Sequence, residues 1–193
     1  MQAVETEIKI RLENREVFES KLPLLGFRRM TERAFEHNTL FDTPNRELRS
    51  RRQILRLRHY GGAWVVTHKA APPGVSEEGP HKSRIETESV VEDGRAMARI
   101  FQALGFHPVF VYEKWRTEWA DGEGQCVLDD TPLGAYAELE GPGAWIDRTA
   151  KSLHIGESQY LKLSYGRIFE AWRERTQCKA VNFTFAEIPP SFR

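Results

Sequence analysis

The sequence predicts an α+β protein built on a closed eight-stranded antiparallel β-barrel, a tunnel with a charged lumen and helices packed on its outside. Three observations predict it. Several segments alternate with period two, apolar on one face and charged on the other. Their charged faces carry like charges two residues apart, not the mixed polar set of a solvated sheet. Amphipathic helical segments lie between the strands and can cover the apolar faces, which turns the charged faces inward. A closed barrel meets both demands and leaves no edge strand.

The elements follow in order. Val4 to Leu12 alternates, with Val4, Ile8, Ile10 and Leu12 on one face and Glu5, Glu7, Lys9 and Arg11 on the other. Asn14 is an N-cap for a helix from Arg15 to about Leu25, with Pro23 kinking or ending it and Gly26 stopping it. Strands follow at about Ala34 to Phe41, Ile54 to Tyr60 and Ala63 to Lys69, with Gly61-Gly62 as a hairpin turn. Residues 70 to 82 are rich in Pro, Gly and Ser and predict a mobile loop. Ser83 to Val91 resumes a strand. Asp93 caps a helix carrying Ala96, Met97, Ile100, Phe101 and Leu104, closed by Gly105. Strands recur near Phe110 to Trp119, Gly124 to Asp129 and Ala135 to Glu140. Helices are expected around Ala144 to Leu153 and Leu163 to Arg175. The tail from Gln177 to Arg193 adds a strand near Lys179 to Phe185, or caps one mouth with Phe183 and Phe185. No linker interrupts the pattern, so a single domain over 1–193 is expected.

Composition narrows the function. The chain has 193 residues, 28 Lys+Arg against 28 Asp+Glu, 40% hydrophobic and 11% aromatic residues. Apolar content of that order argues against disorder, and zero net charge argues against charge-driven nucleic-acid binding. No apolar run reaches membrane-span length, and the N-terminus enters a charged segment at once, unlike a signal peptide. Cys126 and Cys178 are too few for a disulfide framework and lack metal-site spacing. A cytoplasmic protein is expected, with no nucleic-acid or membrane partner; a homodimer is compatible with the sequence.

The zero total conceals a pattern. Glu5/Glu7, Arg56/Arg58, Glu86/Glu88, Lys114/Arg116 and Glu138/Glu140 each aim two like charges at one face of a strand. The opposite faces carry Ile8, Ile10, Leu55, Leu57, Ile85, Trp115 and Leu139. The predicted lumen holds Glu5, Glu7, Glu86, Glu88, Asp129, Glu138 and Glu140 together with Lys9, Arg11, Arg56, Arg58, Lys69, Arg84, Lys114 and Arg116. So many enclosed charges are costly unless paired or filled. Arg and Lys suit phosphate oxygens, and clustered carboxylates suit Mg²⁺ or Mn²⁺. Acid and base together point to a metal-bound phosphate chain.

These residues also carry a family resemblance. Glu5-Thr6-Glu7-Ile8-Lys9 has the ExExK form that opens CYTH proteins, the triphosphate tunnel metalloenzymes. Phe41-Asp42-Thr43-Pro44 resembles that family's YFDTP segment, with Leu40 where Tyr is common. Leu55-Arg56-Leu57-Arg58, Thr67-His68-Lys69, Arg84-Ile85-Glu86-Thr87-Glu88 and Lys114-Trp115-Arg116 resemble its LRxR, TxK, RxExE and KxR elements. Leu128-Asp129, Glu138-Leu139-Glu140-Gly141 and Ser164-Tyr165 complete the series, which spans about residues 4 to 170. The resemblance implies an eight-stranded tunnel that binds a triphosphate with Mg²⁺ or Mn²⁺. By motif position Lys9, Arg56, Arg58, Lys69, Arg84, Lys114 and Arg116 would bind phosphates. Glu5, Glu7, Asp129, Glu138 and Glu140 would hold metal, with Glu86, Glu88 and Arg11 in support. Asp129 is preferred over Asp130 by its place after Leu128.

The family includes class IV adenylyl cyclases, thiamine triphosphatases and inorganic triphosphatases. Hydrolysis of an inorganic or organic triphosphate needs only the clamp; cyclisation of ATP also needs a nucleoside pocket that the sequence does not display. A non-catalytic polyphosphate or nucleotide sensor is a third reading, and the carboxylate set argues against it. Lys69 is the candidate general base if neighbouring cations lower its pKa; otherwise it only binds phosphate. The six histidines lack metal-ligand spacing, and His68 is expected to point outward because Lys69 points inward.

Overall fold

The computed structural model describes residues 2–73 and 79–190. Eight strands are present among them: β1 Gln2–Arg11, β2 Arg28–Asp42, β3 Ile54–Tyr60, β4 Ala63–Ala70, β5 Lys82–Val91, β6 His107–Ala120, β7 Gln125–Thr131 and β8 Gly134–Glu140. They close into an antiparallel barrel in the order β1-β5-β4-β3-β2-β6-β7-β8. The helices are α1 Arg15–Lys21, α2 Glu47–Ser50, α3 Gly94–Ala103, α4 Gly143–Ser152 and α5 Tyr165–Thr176. The architecture is the predicted α+β tunnel.

Local chemistry sets most boundaries. Asn14 caps α1 by accepting the Val17 N–H at 2.9 Å, and Asp93 caps α3 by accepting from Arg95 and Ala96. α1 ends earlier than expected: Pro23 starts a separate 3₁₀ turn over Pro23–Leu25, and Gly26 leaves it at φ 87°. Gly61 and Gly62, at φ 58° and 79°, make the β3–β4 hairpin turn.

β2 starts six residues before the expected strand, at Arg28 rather than Ala34. Its early part, Arg28 to Arg33, has no apolar alternation, so its strand character comes from pairing with β6, interrupted by register shifts at Arg29/Thr31 and Thr31/Ala34. α2 was not expected from the sequence. The buried Asp42 carboxylate builds it by accepting the N–H groups of Thr43, Leu48 and Arg49. The predicted loop 70–82 lies in part outside the described residues, and its last residue, Lys82, begins β5.

Two clusters cover the barrel exterior. Ile8, Ile10, Leu128 and Leu139 pack under Phe18 and Leu22 of the α1 segment and Trp145, Ile146 and Ala150 of α4. Leu57 and Phe41 pack under Phe101 of α3, joined by Trp64 and Val66. Trp145 sits against two glycines: a Cβ at Gly124 would lie 2.6 Å from its ring and one at Gly141 2.9 Å. Its indole N–H reaches Asp121 at 2.7 Å.

The third cluster closes one barrel end. Tyr165, Phe169 and Trp172 of α5 pack with Phe183 and Ile188 of the tail against the inner-face side chains Tyr112, Tyr136, Leu40 and Phe110. β7 pairs with β6 only over Trp115–Ala120, so the early half of β6 needs another partner on that side. The tail supplies it: Phe183 N–H donates to the Val111 carbonyl and Glu113 N–H to that of Phe183. This is a single parallel bridge, Tyr112 with Phe183, where the sequence suggested a strand. Phe183 is fully buried in the end cluster, whereas Phe185 packs outside, its ring 6.5 Å from Phe35.

Candidate active site

The barrel encloses a cavity of about 290 Å³, small for a ligand pocket. Seven carboxylates line it, Glu5, Glu7, Glu86, Glu88, Glu118, Glu138 and Glu140. Seven cations line it too, Lys9, Arg56, Arg58, Lys69, Lys82, Lys114 and Arg116. Leu40, Ile54, Tyr112, Ser164, Tyr165 and Gly166 add a less charged lining.

Strand alternation places these side chains. On β1, Ile8 and Ile10 enter the outer core while Glu5, Glu7 and Lys9 face the lumen. On β4, Lys69 lines the lumen while Trp64 and Val66 join the outer cluster. His68 lies between the inward Thr67 and Lys69 and so takes the outer face, as expected.

The lumen charges are sorted. Ligand atoms of Glu5, Glu7 and Glu140 lie within 4.8 Å of one another. Glu140 is pushed well above the usual carboxylate range by burial and by the charges of Glu5 and Glu138. Burial would likewise raise Glu5, but its hydrogen bond to Glu86 and the Lys69 charge outweigh that and hold it at about 2. Burial and the shared hydrogen bond push the partner carboxyl, Glu86, up to about 8. A crowded, half-buried trio of hard oxygen donors is the donor set a divalent cation such as Mg²⁺ or Mn²⁺ takes.

Asp129, Glu138, Glu88 and Glu86 are paired with cations, as Glu5 and Glu7 of the trio are with Lys69 and Lys82. Asp129 is fully buried and accepts from Lys114 at 2.8 Å, from Arg116 Nε and Nη2 at 2.7 Å each, and from the Tyr165 hydroxyl at 2.7 Å. Glu138 accepts from Lys9 at 2.5 Å and from Arg116 at 2.7 Å. Burial opposes its ionisation, but Lys9, Lys114 and Arg116 hold its carboxyl well below the usual range. Glu88 accepts from Thr67 at 2.6 Å and from Arg56 at 3.3 Å, and lies 3.8 Å from Arg58. Lys69 pairs with Glu86 and, at 3.2 Å, with Glu5.

The neighbouring cation that would favour a Lys69 base is opposed by neighbouring carboxylates. Burial and the Arg56 charge do push Lys69 down, but Glu5, Glu86 and Glu7 outweigh them and its pKa is raised.

Of the predicted lumen residues, most converge and three do not reach the cavity wall. Arg11 is exposed at the rim, its guanidinium 3.4 Å from the Leu133 carbonyl. Arg84 does not line the cavity, and its guanidinium donates to the Ser83 carbonyl at 2.8 Å. Asp129 lies behind the wall, beneath Lys114 and Arg116.

Sequence reasoning missed five contributors, of which Glu118 lines the cavity beside Arg116. Lys82 pairs with Glu7; it stands two residues before Arg84 on the same strand face, so extending that alternation would have found it. Glu36 is fully buried beside Lys114 at 3.3 Å and Arg116 at 3.6 Å, and donates nothing to a like-charge pair, the pattern that marked the others. Tyr112, whose hydroxyl accepts from Arg56 at 3.2 Å, and Thr67 carry no charge to mark them.

The model of the CYTH domain family matches residues 3–151, from the first lumen strand through α4. The chain belongs to the CYTH family. A relative from Methanocaldococcus jannaschii, named "Putative adenylate cyclase MJ0240", is 30% identical over 173 residues, covering 84% of this chain and 96% of that protein. A Vibrio parahaemolyticus structure with the same designation superposes with a TM-score of 0.74 at 21% identity, over 86% of this chain and 97% of the other. HpAC1 from Hippeastrum, a candidate adenylyl cyclase described as having a dominant triphosphatase activity, gives 0.61 at 20% identity, over 87% and 96%. At these identities the two structures establish the shared fold. This CYTH domain carries its acid and base side chains in one enclosed lumen. No helix among the described residues is long and apolar enough to cross a membrane.

Proposed function

We propose that this CYTH domain is a divalent-metal-dependent enzyme that hydrolyses triphosphate substrates, tripolyphosphate, ATP or thiamine triphosphate. One observation carries the reading: the acid trio Glu5, Glu7 and Glu140 and the cations Arg56, Arg58, Lys69, Lys114 and Arg116 line the same 290 Å³ cavity. A cation sink and an anion clamp side by side fit a metal–phosphate chain better than either ligand alone.

Glu5, Glu7 and Glu140 would hold Mg²⁺ or Mn²⁺. Such an ion supplies neutralisation of phosphate charge and activation of the attacking oxygen. The chain's own residues do the rest. Arg56, Arg58 and Arg116 bring guanidinium charge to the cavity wall for phosphate oxygens, while Lys9, Lys69 and Lys114 act as point charges. The clamp is preorganised: Glu88, Asp129, Glu138 and Glu36 hold the cations before substrate arrives, so little reorganisation remains for the reacting complex. The aromatic cluster under α5 limits water access from one end. The unbridged cysteines, Cys126 buried among them, accord with a reducing cytoplasmic setting.

A second reading, cyclisation of ATP to cyclic AMP with loss of pyrophosphate, is favoured by the designation of the 30% identical archaeal relative. Incubation with tripolyphosphate, ATP and thiamine triphosphate, each with Mg²⁺ or Mn²⁺, separates the two. Orthophosphate release supports hydrolysis; cyclic AMP with pyrophosphate supports the cyclase. Binding without turnover would make the protein a sensor and end both readings.

A further inference from the structure

The LD and SY elements contribute Asp129 and Tyr165, and both meet at one buried point. Asp129 has no exposed surface, and four donors occupy its two oxygens. One is the hydroxyl of Tyr165, the first residue of α5. The same tyrosine offers its ring to two lumen ammoniums, Lys9 at 4.4 Å and Lys114 at 5.0 Å from the ring centroid. Tyr165 therefore touches this wall twice, through its hydroxyl to the counter-ion and through its ring to the cations.

Geometry separates Asp129 from the cation trio. A ligand oxygen needs a free lone pair aimed at the ion. Asp129 Oδ1 takes Arg116 Nε, and Oδ2 takes Lys114, Arg116 Nη2 and Tyr165. The carboxylates that do crowd one another are Glu5, Glu7 and Glu140. A cation reaching Asp129 would have to displace donors that already carry two positive charges.

We propose that Asp129 and Tyr165 are positioning residues: they aim Lys114 and Arg116 into the lumen, and Asp129 does not hold the divalent cation. The start of α5 thereby becomes part of the anion wall. A Tyr165 side chain without its hydroxyl keeps the ring under both lysines but leaves Asp129 one donor short. The Lys114 and Arg116 heads then redistribute around the carboxylate, and a multi-point anion contact loses its alignment.

The inference rests on the triphosphate reading only for its choice of anion, and the test separates the two. Wild type, Tyr165→Phe, Asp129→Asn and the control Glu140→Gln are checked for folding by circular dichroism. Each is then titrated with Mn²⁺ alone, followed by electron paramagnetic resonance, and with tripolyphosphate by calorimetry. Tripolyphosphate affinity is expected to fall roughly tenfold or more in Tyr165→Phe and Asp129→Asn, the scale of a hydrogen bond to a charged group. Mn²⁺ affinity stays within about twofold of wild type in those two and collapses in Glu140→Gln. If Asp129→Asn unfolds, Tyr165→Phe alone decides.

A third measurement needs no triphosphate. With ¹⁵N-labelled lysine, the Nζ signals of buried Lys9 and Lys114 report the wall directly, and both move in Tyr165→Phe. Unmoved signals overturn the proposal. So does an Mn²⁺ loss in Asp129→Asn equal to that in Glu140→Gln. Failure of wild type to bind tripolyphosphate would end the triphosphate reading, while the lysine signals still decide the positioning role.

Discussion

Replacing Lys114 by Met tests whether the lumen charges hold the barrel together as well as its ligand. Lys114 Nζ lies 2.8 Å from Asp129 and 3.3 Å from Glu36, and neither carboxylate has exposed side-chain surface. Met fills the space of the lysine stem but leaves two buried carboxylates short of a counter-ion. Breaking a buried pair by removing one partner costs about 3–5 kcal/mol. Asp129 keeps Arg116 and Tyr165, and Glu36 keeps Asn38 at 2.9 Å, so the lower end of that range, about 3 kcal/mol, is expected. For a chain of this length that is roughly 6–12 °C in Tm. Arg33→Met is the control: its 2.8 Å pair with Asp130 is half exposed, and about 1 kcal/mol or less is expected. Adding Glu36→Gln to Lys114→Met removes one orphaned charge and restores part of the loss. Urea denaturation of the four proteins at neutral pH measures the differences. A Lys114→Met protein as stable as Arg33→Met would refute the reasoning, because the buried carboxylates would then not need their cation.

Three further outcomes follow from the same geometry. Glu36 is buried, which opposes ionisation, but Lys114, Arg116, Arg56 and Arg58 hold its carboxyl far below its ordinary value of 4.5. A carboxyl depressed on folding stabilises the fold above its unfolded pKa and loses that contribution as pH falls below it, so wild type should lose stability below about pH 4.5 and Glu36→Gln should lose less, measured by Tm against pH. Gly124→Ala would set a methyl group 2.6 Å from the Trp145 ring, an overpacking that costs about 1–3 kcal/mol by denaturant midpoint; an unchanged midpoint would show that α4 yields freely. Glu5→Gln and Glu7→Gln should each lower Mn²⁺ affinity at least tenfold and abolish metal-dependent turnover, and full turnover in either would remove that residue from the cation site.

Particular residues show what local pattern could and could not reveal. The like-charge pairs marked β1, β3, β5, β6 and β8 because each strand has an inner and an outer face, and alternation is a local property of the backbone. Caps at Asn14 and Asp93 and the Gly61-Gly62 turn were legible for the same reason. β2 before Ala34 and the Phe183 bridge were not, because both are stabilised by partners distant in the chain, on β6; α2 is held by the nearby Asp42 carboxylate, and its four residues are too few to show a helical period. At the site, alternation predicted which charges face inward but not their neighbours around the barrel. Glu36 stands outside any like-charge pair and Lys82 lies just before the expected start of its strand, so both escaped notice; Arg11 fell at the rim, and the carboxylates beside Lys69, Glu5 and Glu86, come from neighbouring strands.

The sequence by itself determined the barrel, its charged interior and the balance of acid and base within it, since these follow from a two-residue period that any strand must obey. Only the tertiary structure decided how that balance is divided. Closure of β8 onto β1 brings Glu140 beside Glu5 and Glu7, while β6 lies against β7 and sets Arg116 and Lys114 on Asp129. Whether a carboxylate waits for a cation or holds an arginine depends on which strand stands next to it, and Coulomb energy at contact distance follows that neighbour rather than position in the chain.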